Sequence, residues 1–300
     1  MTTPDLDDLN SRFAADSQVH FATQHGLVVA QLANRHGSAT VALSGGQVLT
    51  YQPVGQQPVL FVAQQARYEV GKSVRGGIPV CWPWFAGRRD DPARPFHGFA
   101  RMLVWGVRAA HAAAESTTLE LGLTENTTTR AYWPHPFDLR LVVTLGRTLQ
   151  VDLIARNTDT QPVELTAALH SYFRVGDVAQ VTLHGLEGTT FIDKTNGDSE
   201  QHEASLAIDR WIDRIYLDTT ATCSIDDASL KRRIVIEKAG SRATVVWNPW
   251  RENAAAIADM GDDEYRAMLC VETANTGGDT ITLAPGHEHQ LSAIIHVGPR

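Results

Sequence analysis

The chain has 300 residues, 43% of them hydrophobic, and its 26 Lys and Arg against 34 Asp and Glu leave a net charge of −8. That is ample apolar material for a large core, and without a polybasic run it gives no reason to expect nucleic acid as a partner. Cys81, Cys223 and Cys270 are odd in number and widely spaced, which reads as free thiols in a reducing compartment. No apolar run approaches bilayer length, and the acidic opening MTTPDLDDLNSRFAADSQ is unlike a secretory leader. A cytoplasmic protein with no membrane partner is expected.

In chain order, residues Pro4 to Ala15 suit a short opening helix, with Thr3 as N-cap and Leu6, Leu9 and Phe13 along one stripe. Strand signals then dominate. Leu27–Ala33, Ala39–Leu43 and Gln47–Tyr51 are short and β-branched or alternating, and turns such as Ser44-Gly45-Gly46 separate them. Arg75–Phe85 (RGGIPVCWPWF) carries two prolines, each lacking a backbone donor, and so reads as a rigid loop or an edge strand. Leu139–Leu145 and Leu149–Arg156 form a hairpin rich in Val, Leu and Ile. Further strands are expected at Val163–Phe173, Gln180–His184, Ala221–Ile225, Arg233–Lys238, Ala243–Trp247, Met268–Thr273, Thr280–Leu283 and Gln290–Val297. A dozen or more short strands with few helices predict an all-β fold, a large antiparallel β-sandwich. Residues 1–300 read as one domain, with residues 1–26 as an N-terminal extension.

Three stretches could carry chemistry. Along Leu165–Phe173, alternation places His170 and Tyr172 on the face opposite Leu165, Ala167 and Leu169. His170 is either a hydrogen-bonded core histidine or a proton-transfer group. On Met268–Asn275, Glu272 shares a face with Met268 and Cys270. A carboxylate in that company is costly unless paired or protonated, and a raised pKa is what a general base near neutrality needs. In Pro95–Arg101, His97 and Arg101 stand in an aromatic setting beside Gly98. Asp213, among apolar neighbours, either pairs with Arg210 or Arg214 or serves a site. His287-Glu288-His289, with His296 nearby, invites a metal reading, but nothing downstream completes a ligand set. No Gly-x-Ser-x-Gly elbow is present.

Six motifs taken together, RGGIPVCWPWF from Arg75, HGFAR from His97, ALHSYF from Ala168, DRIYLD from Asp213, VWNPW from Val246 and CVETAN from Cys270, closely resemble the glucose-6-phosphate 1-epimerase group of the galactose-mutarotase-like superfamily. The resemblance runs from about residue 27 to residue 297. It implies a large β-sandwich and interconversion of the anomers of a hexose 6-phosphate, with His170 and Glu272 as the catalytic pair. It further implies Arg75, Arg101 and Asp213 as substrate contacts, His97 as a pocket residue, a small-molecule sugar phosphate as partner, and neither metal nor organic cofactor. The expected division of labour is protonated His170 as acid and ionised Glu272 as base. Arg75 and Arg101 would hold the phosphate, with Lys72 and Arg88 as outlying additions. Some members place a glutamine before the histidine of HGFAR; here it is Phe96, which removes one polar contact. An aldose 1-epimerase of free sugars and a non-catalytic sugar-binding protein are the competing readings.

Overall fold

The computed structural model describes residues 4–87, 91, 93–197, 199–201 and 206–299. Two eight-stranded sheets carry the architecture, and every strand pairing in them is antiparallel. The back sheet runs, in spatial order, Val181–His184, Cys223–Asp227, Arg232–Ala239, Glu288–Pro299, Leu149–Asn157, Phe137–Leu145, Thr117–Thr124 and Gly106–Ala112. The pocket sheet runs Ser199–Gln201, Phe191–Asp193, Ile212–Tyr216, Ala243–Asn248, Met268–Asn275, Ala167–Leu169 and Val80–Cys81, with Tyr172–Arg174 also paired to Met268–Asn275. Leu141, Val151 and Ile295 from the back sheet join Leu269, Val271 and Phe173 from the pocket sheet in one contiguous core. The result is the expected large antiparallel sandwich, in which alternating apolar positions meet between two layers.

A four-stranded meander, Val19–Gln24, Leu27–Asn34, Gly37–Ala42 and Gln47–Pro53, packs its buried side into the same core. The opening helix spans Leu6–Phe13, with Leu9 buried and Leu6 and Phe13 packed at the core's edge. Its N-cap is Asp5, whose carboxylate accepts from the amides of Asp7 and Asp8; Thr3, the expected cap, lies outside the described residues. Among the described residues, no helix is long and apolar enough to cross a membrane.

Two departures from the sequence reading shape the site. The expected strand Val163–Phe173 is broken into Val163–Leu165, Ala167–Leu169 and Tyr172–Arg174. The break falls where His170 donates its amide to Pro79 and Ser171 turns back onto the Leu169 carbonyl. The first piece leaves the sheet altogether and pairs with Ile281–Leu283. The Arg75–Phe85 segment is both loop and edge strand, because Val80–Cys81 closes one end of the pocket sheet against Ala168 and Leu169. Gly76 must be glycine there: at φ +124° a Cβ would stand 2.3 Å from the Phe61 carbonyl oxygen.

Candidate active site

All eight residues of Met268–Asn275 are buried, so this central strand has core on both faces. Leu269 and Val271 join the sandwich interior, while Cys270 and Glu272 point the other way. Register carries that second face across the sheet. Asp213 stands opposite Trp247, Trp247 opposite Cys270, and Cys270 opposite Tyr172; one row along, Ile215 meets Val245 and Val245 meets Glu272. Above these rows lies a cavity of about 600 Å³. Arg75, His97, Arg101, His170, Asp213 and Glu272 all line it, so the six residues singled out in the sequence converge on one place.

His170 sits at the chain break between two short strands, its ring stacked on Tyr172 at 4.8 Å and 10°. His170 Nδ1 lies 3.3 Å from Glu272 Oε1, yet off the alignment of a hydrogen bond. Neither His170 Nδ1 nor Glu272 Oε2 has a hydrogen-bond partner among the described residues, although both atoms are buried. Burial, reinforced by the charges of Arg101 and Arg75, pushes the His170 pKa down to about 3. Burial, reinforced by Asp213, raises the Glu272 carboxyl well above the usual range. Both directions oppose the two buried charges of an ion pair. A neutral imidazole beside a protonated carboxyl carries the same number of protons without two buried charges.

His97 is held by a reciprocal contact across the loop. Its amide donates to the Ala86 carbonyl and its Nδ1 accepts from the Ala86 amide, each at 2.9 Å. With Nδ1 accepting, the proton of the neutral ring belongs on Nε2. Burial, with His170 and the two arginines nearby, holds its pKa well below normal. The neighbouring Gly98, at φ +74°, lets the chain approach Trp82, whose carbonyl oxygen would lie 2.1 Å from a Cβ.

Arg75 donates through Nε to Asp259 Oδ1 at 3.1 Å and through Nη1 to the Tyr172 hydroxyl at 3.2 Å. Burial opposes its charge, but Tyr172 and Asp259 outweigh it and the pKa is raised. Arg101 donates through Nη2 to the Phe96 carbonyl at 2.8 Å. Phe96 is 58% exposed and lines the cavity. Lys72 stays outside, paired with Glu69 at 2.6 Å and bordering a smaller recess behind Arg75 and Arg101; Arg88 lies outside the described residues. The metal reading of residues 287–289 finds other roles for its members: His289 Nε2 lies 3.0 Å from Asn275 Oδ1, and Glu288 pairs with Arg140.

Sequence reasoning missed Asp259, the anchor of Arg75, and Lys194, Trp247 and Thr276 in the lining. The shared face of Tyr172 and His170 was a usable signal for Tyr172. None existed for Asp259, 184 residues away from Arg75.

Comparison with known proteins gives the family and agrees with the fold. The chain belongs to the aldose 1-epimerase family, which it matches over residues 29–296. A protein of Escherichia coli (strain K12) named "Putative glucose-6-phosphate 1-epimerase" is 37% identical over 79% of each chain. A protein of Cenchrus ciliaris with the same name is 35% identical over 85% of this chain and 79% of its own. A crystal structure from Salmonella typhimurium, described as a "putative mutarotase", superposes with a TM-score of 0.88 at 32% identity, covering 95% of both chains. Galactose 1-epimerase from Lactobacillus acidophilus, at 14% identity and a TM-score of 0.69 over 94% of this chain and 99% of its own, shares the fold.

Proposed function

We propose that this chain interconverts the α and β anomers of hexose 6-phosphates, glucose 6-phosphate foremost, with His170 and Glu272 as the acid–base pair. The observation that carries the reading is the 3.3 Å approach of these two groups in a cavity that also holds Arg75 and Arg101. Ring opening needs one proton delivered to the ring oxygen as the C1–O5 bond breaks, and one removed from the anomeric hydroxyl as the C1 carbonyl forms. Rotation about C1–C2 and reversal of both transfers closes the other anomer. Proton transfer alone completes both steps, and a positioned acid or base contributes about 10²–10⁴-fold.

The pair shares one proton, and the raised carboxyl and lowered imidazole pKa favour its place on Glu272 before substrate arrives. Arg101 and Arg75 help keep it off His170. A phosphate dianion received by those arginines offsets their field, so the proton passes to His170. His170 is then the acid and Glu272 the base at the moment the sugar arrives. Asp213 accepts from sugar hydroxyls, and neutral His97 donates through Nε2. The whole chain acts as one unit, since its opening helix shares the main core. A reducing, cytoplasmic setting suits three buried free thiols.

One observation favours the free sugar instead: Arg75 already has a carboxylate partner in Asp259. Anomeric exchange followed by NMR magnetisation transfer separates the readings. Acceleration of glucose 6-phosphate well beyond glucose is expected. Equal acceleration of both would assign a general aldose 1-epimerase, and binding without acceleration a sugar-binding protein.

A further inference from the structure

Cys270 has no part in the proton transfers, yet it occupies the same strand face as Glu272, two residues away, and is wholly buried. Its Sγ, a ring nitrogen of His170 and a carboxylate oxygen of Glu272 all lie within 4.8 Å of one another. We propose that His170, Cys270 and Glu272 form a binding site for a thiophilic divalent cation, zinc or cadmium, and that its occupation silences the acid–base pair.

Three features support this beyond proximity. The donors are one imidazole nitrogen, one sulfur and one oxygen, a set suited to zinc and foreign to magnesium or calcium. The 3.3 Å between His170 Nδ1 and Glu272 Oε1 matches the edge of a tetrahedral zinc site, about 3.3 Å for bonds of roughly 2.0 Å. His170 Nδ1 is buried without a hydrogen-bond partner among the described residues, so a cation on it would fill a polar need the folded chain leaves open.

Charge balance is compatible with the arginines nearby. A divalent cation displaces the thiol proton and the carboxyl proton, and two protons leave for solvent. The buried cluster is then no more positive than before. With one ring nitrogen and the carboxylate both on the cation, His170 and Glu272 can no longer exchange the proton that the reaction passes between them. The cation is thus an inhibitor, in contrast to metalloenzymes in which a metal drives the chemistry.

The inhibitory half rests on the function proposed above, so the experiment reads binding independently of activity. Cadmium chloride is titrated into the full-length protein and into Cys270→Ser, following the ultraviolet sulfur-to-cadmium charge-transfer band; Cys270→Ala serves if the serine variant does not fold. In parallel, zinc chloride is titrated into the glucose 6-phosphate exchange assay, with magnesium chloride as control and EDTA to reverse it. Expected are a one-to-one band in the parent that disappears in the variant, and zinc inhibition at least about tenfold weaker in the variant, as loss of a supporting ligand contact alone costs 10–100-fold. A parent without the band, or a band unchanged when Cys270 is replaced, would overturn the site. A normal band without zinc inhibition would overturn the silencing.

Discussion

The two large sheets are built from similar strands but used differently. In the back sheet, Phe137–Leu145 alternates strictly between buried and half-exposed positions, because one face meets the core and the other meets water. In the pocket sheet, Met268–Asn275 is buried at every position, even though Glu272 on its second face lines the cavity with Arg75 and His97. The first arrangement maximises apolar burial. The second accepts a buried carboxyl and a buried imidazole, at a cost in stability that the rest of the sandwich offsets. The candidate site lies where alternation stops separating polar from apolar.

Substitutions on each sheet sharpen this contrast. The largest effect belongs to Glu272→Gln, which is expected to cut anomeric exchange by about 10²–10⁴-fold while raising Tm. The sign follows from the raised carboxyl pKa. Between the unfolded value of 4.5 and the higher folded one, the folded state binds more protons, so stability falls as pH rises through that window. Glutamine removes this dependence. Calorimetry should show the variant's advantage at about pH 8 shrinking toward pH 4.5, and a lower Tm at pH 8 would break the account.

The opposite pattern is expected from Leu141→Ala, a fully buried position of the back sheet. Denaturant titration should show a loss of about 2–5 kcal/mol, with kcat/KM of the folded protein unchanged. Next comes Arg101→Met. Loss of charge-assisted hydrogen bonds worth about 1.5–3 kcal/mol should raise KM for glucose 6-phosphate by about 10–100-fold, while exchange of free glucose, relieved of the Arg101 charge that disfavours protonated His170, should not fall. The smallest effect is that of Phe96→Gln, exposed at the cavity wall. A single neutral hydrogen bond of about 0.5–1.5 kcal/mol changes the KM ratio between hexose phosphates by less than about tenfold, without altering Tm.

Legibility in the sequence followed the same division. The hairpin of the back sheet was readable almost to its ends, Leu139–Leu145 against the observed Phe137–Leu145, because a half-wet strand shows its period. Glu272 was readable because it breaks an apolar strand face, and His170 because it stands on the more polar face of its strand. The pocket-sheet strand Ile212–Tyr216 was missed as a strand, although Asp213 within it was noticed. Val80–Cys81 is only two residues long, too short for any period. The break at His170 follows from a hydrogen bond to Pro79, a partner 91 positions upstream by numbering. The opposed pKa shifts of the two groups needed the third dimension as well, since burial and the charges of Arg75, Arg101 and Asp213 act only once folding has gathered them.

The account stands most directly on His170. Anomeric exchange of saturating glucose 6-phosphate should be measured by NMR magnetisation transfer for the parent and for His170→Ala, with circular dichroism and substrate binding confirming a folded, occupied variant. The prediction is exchange at the uncatalysed rate despite bound substrate. Exchange at the parent's rate would contradict the assignment of the pair.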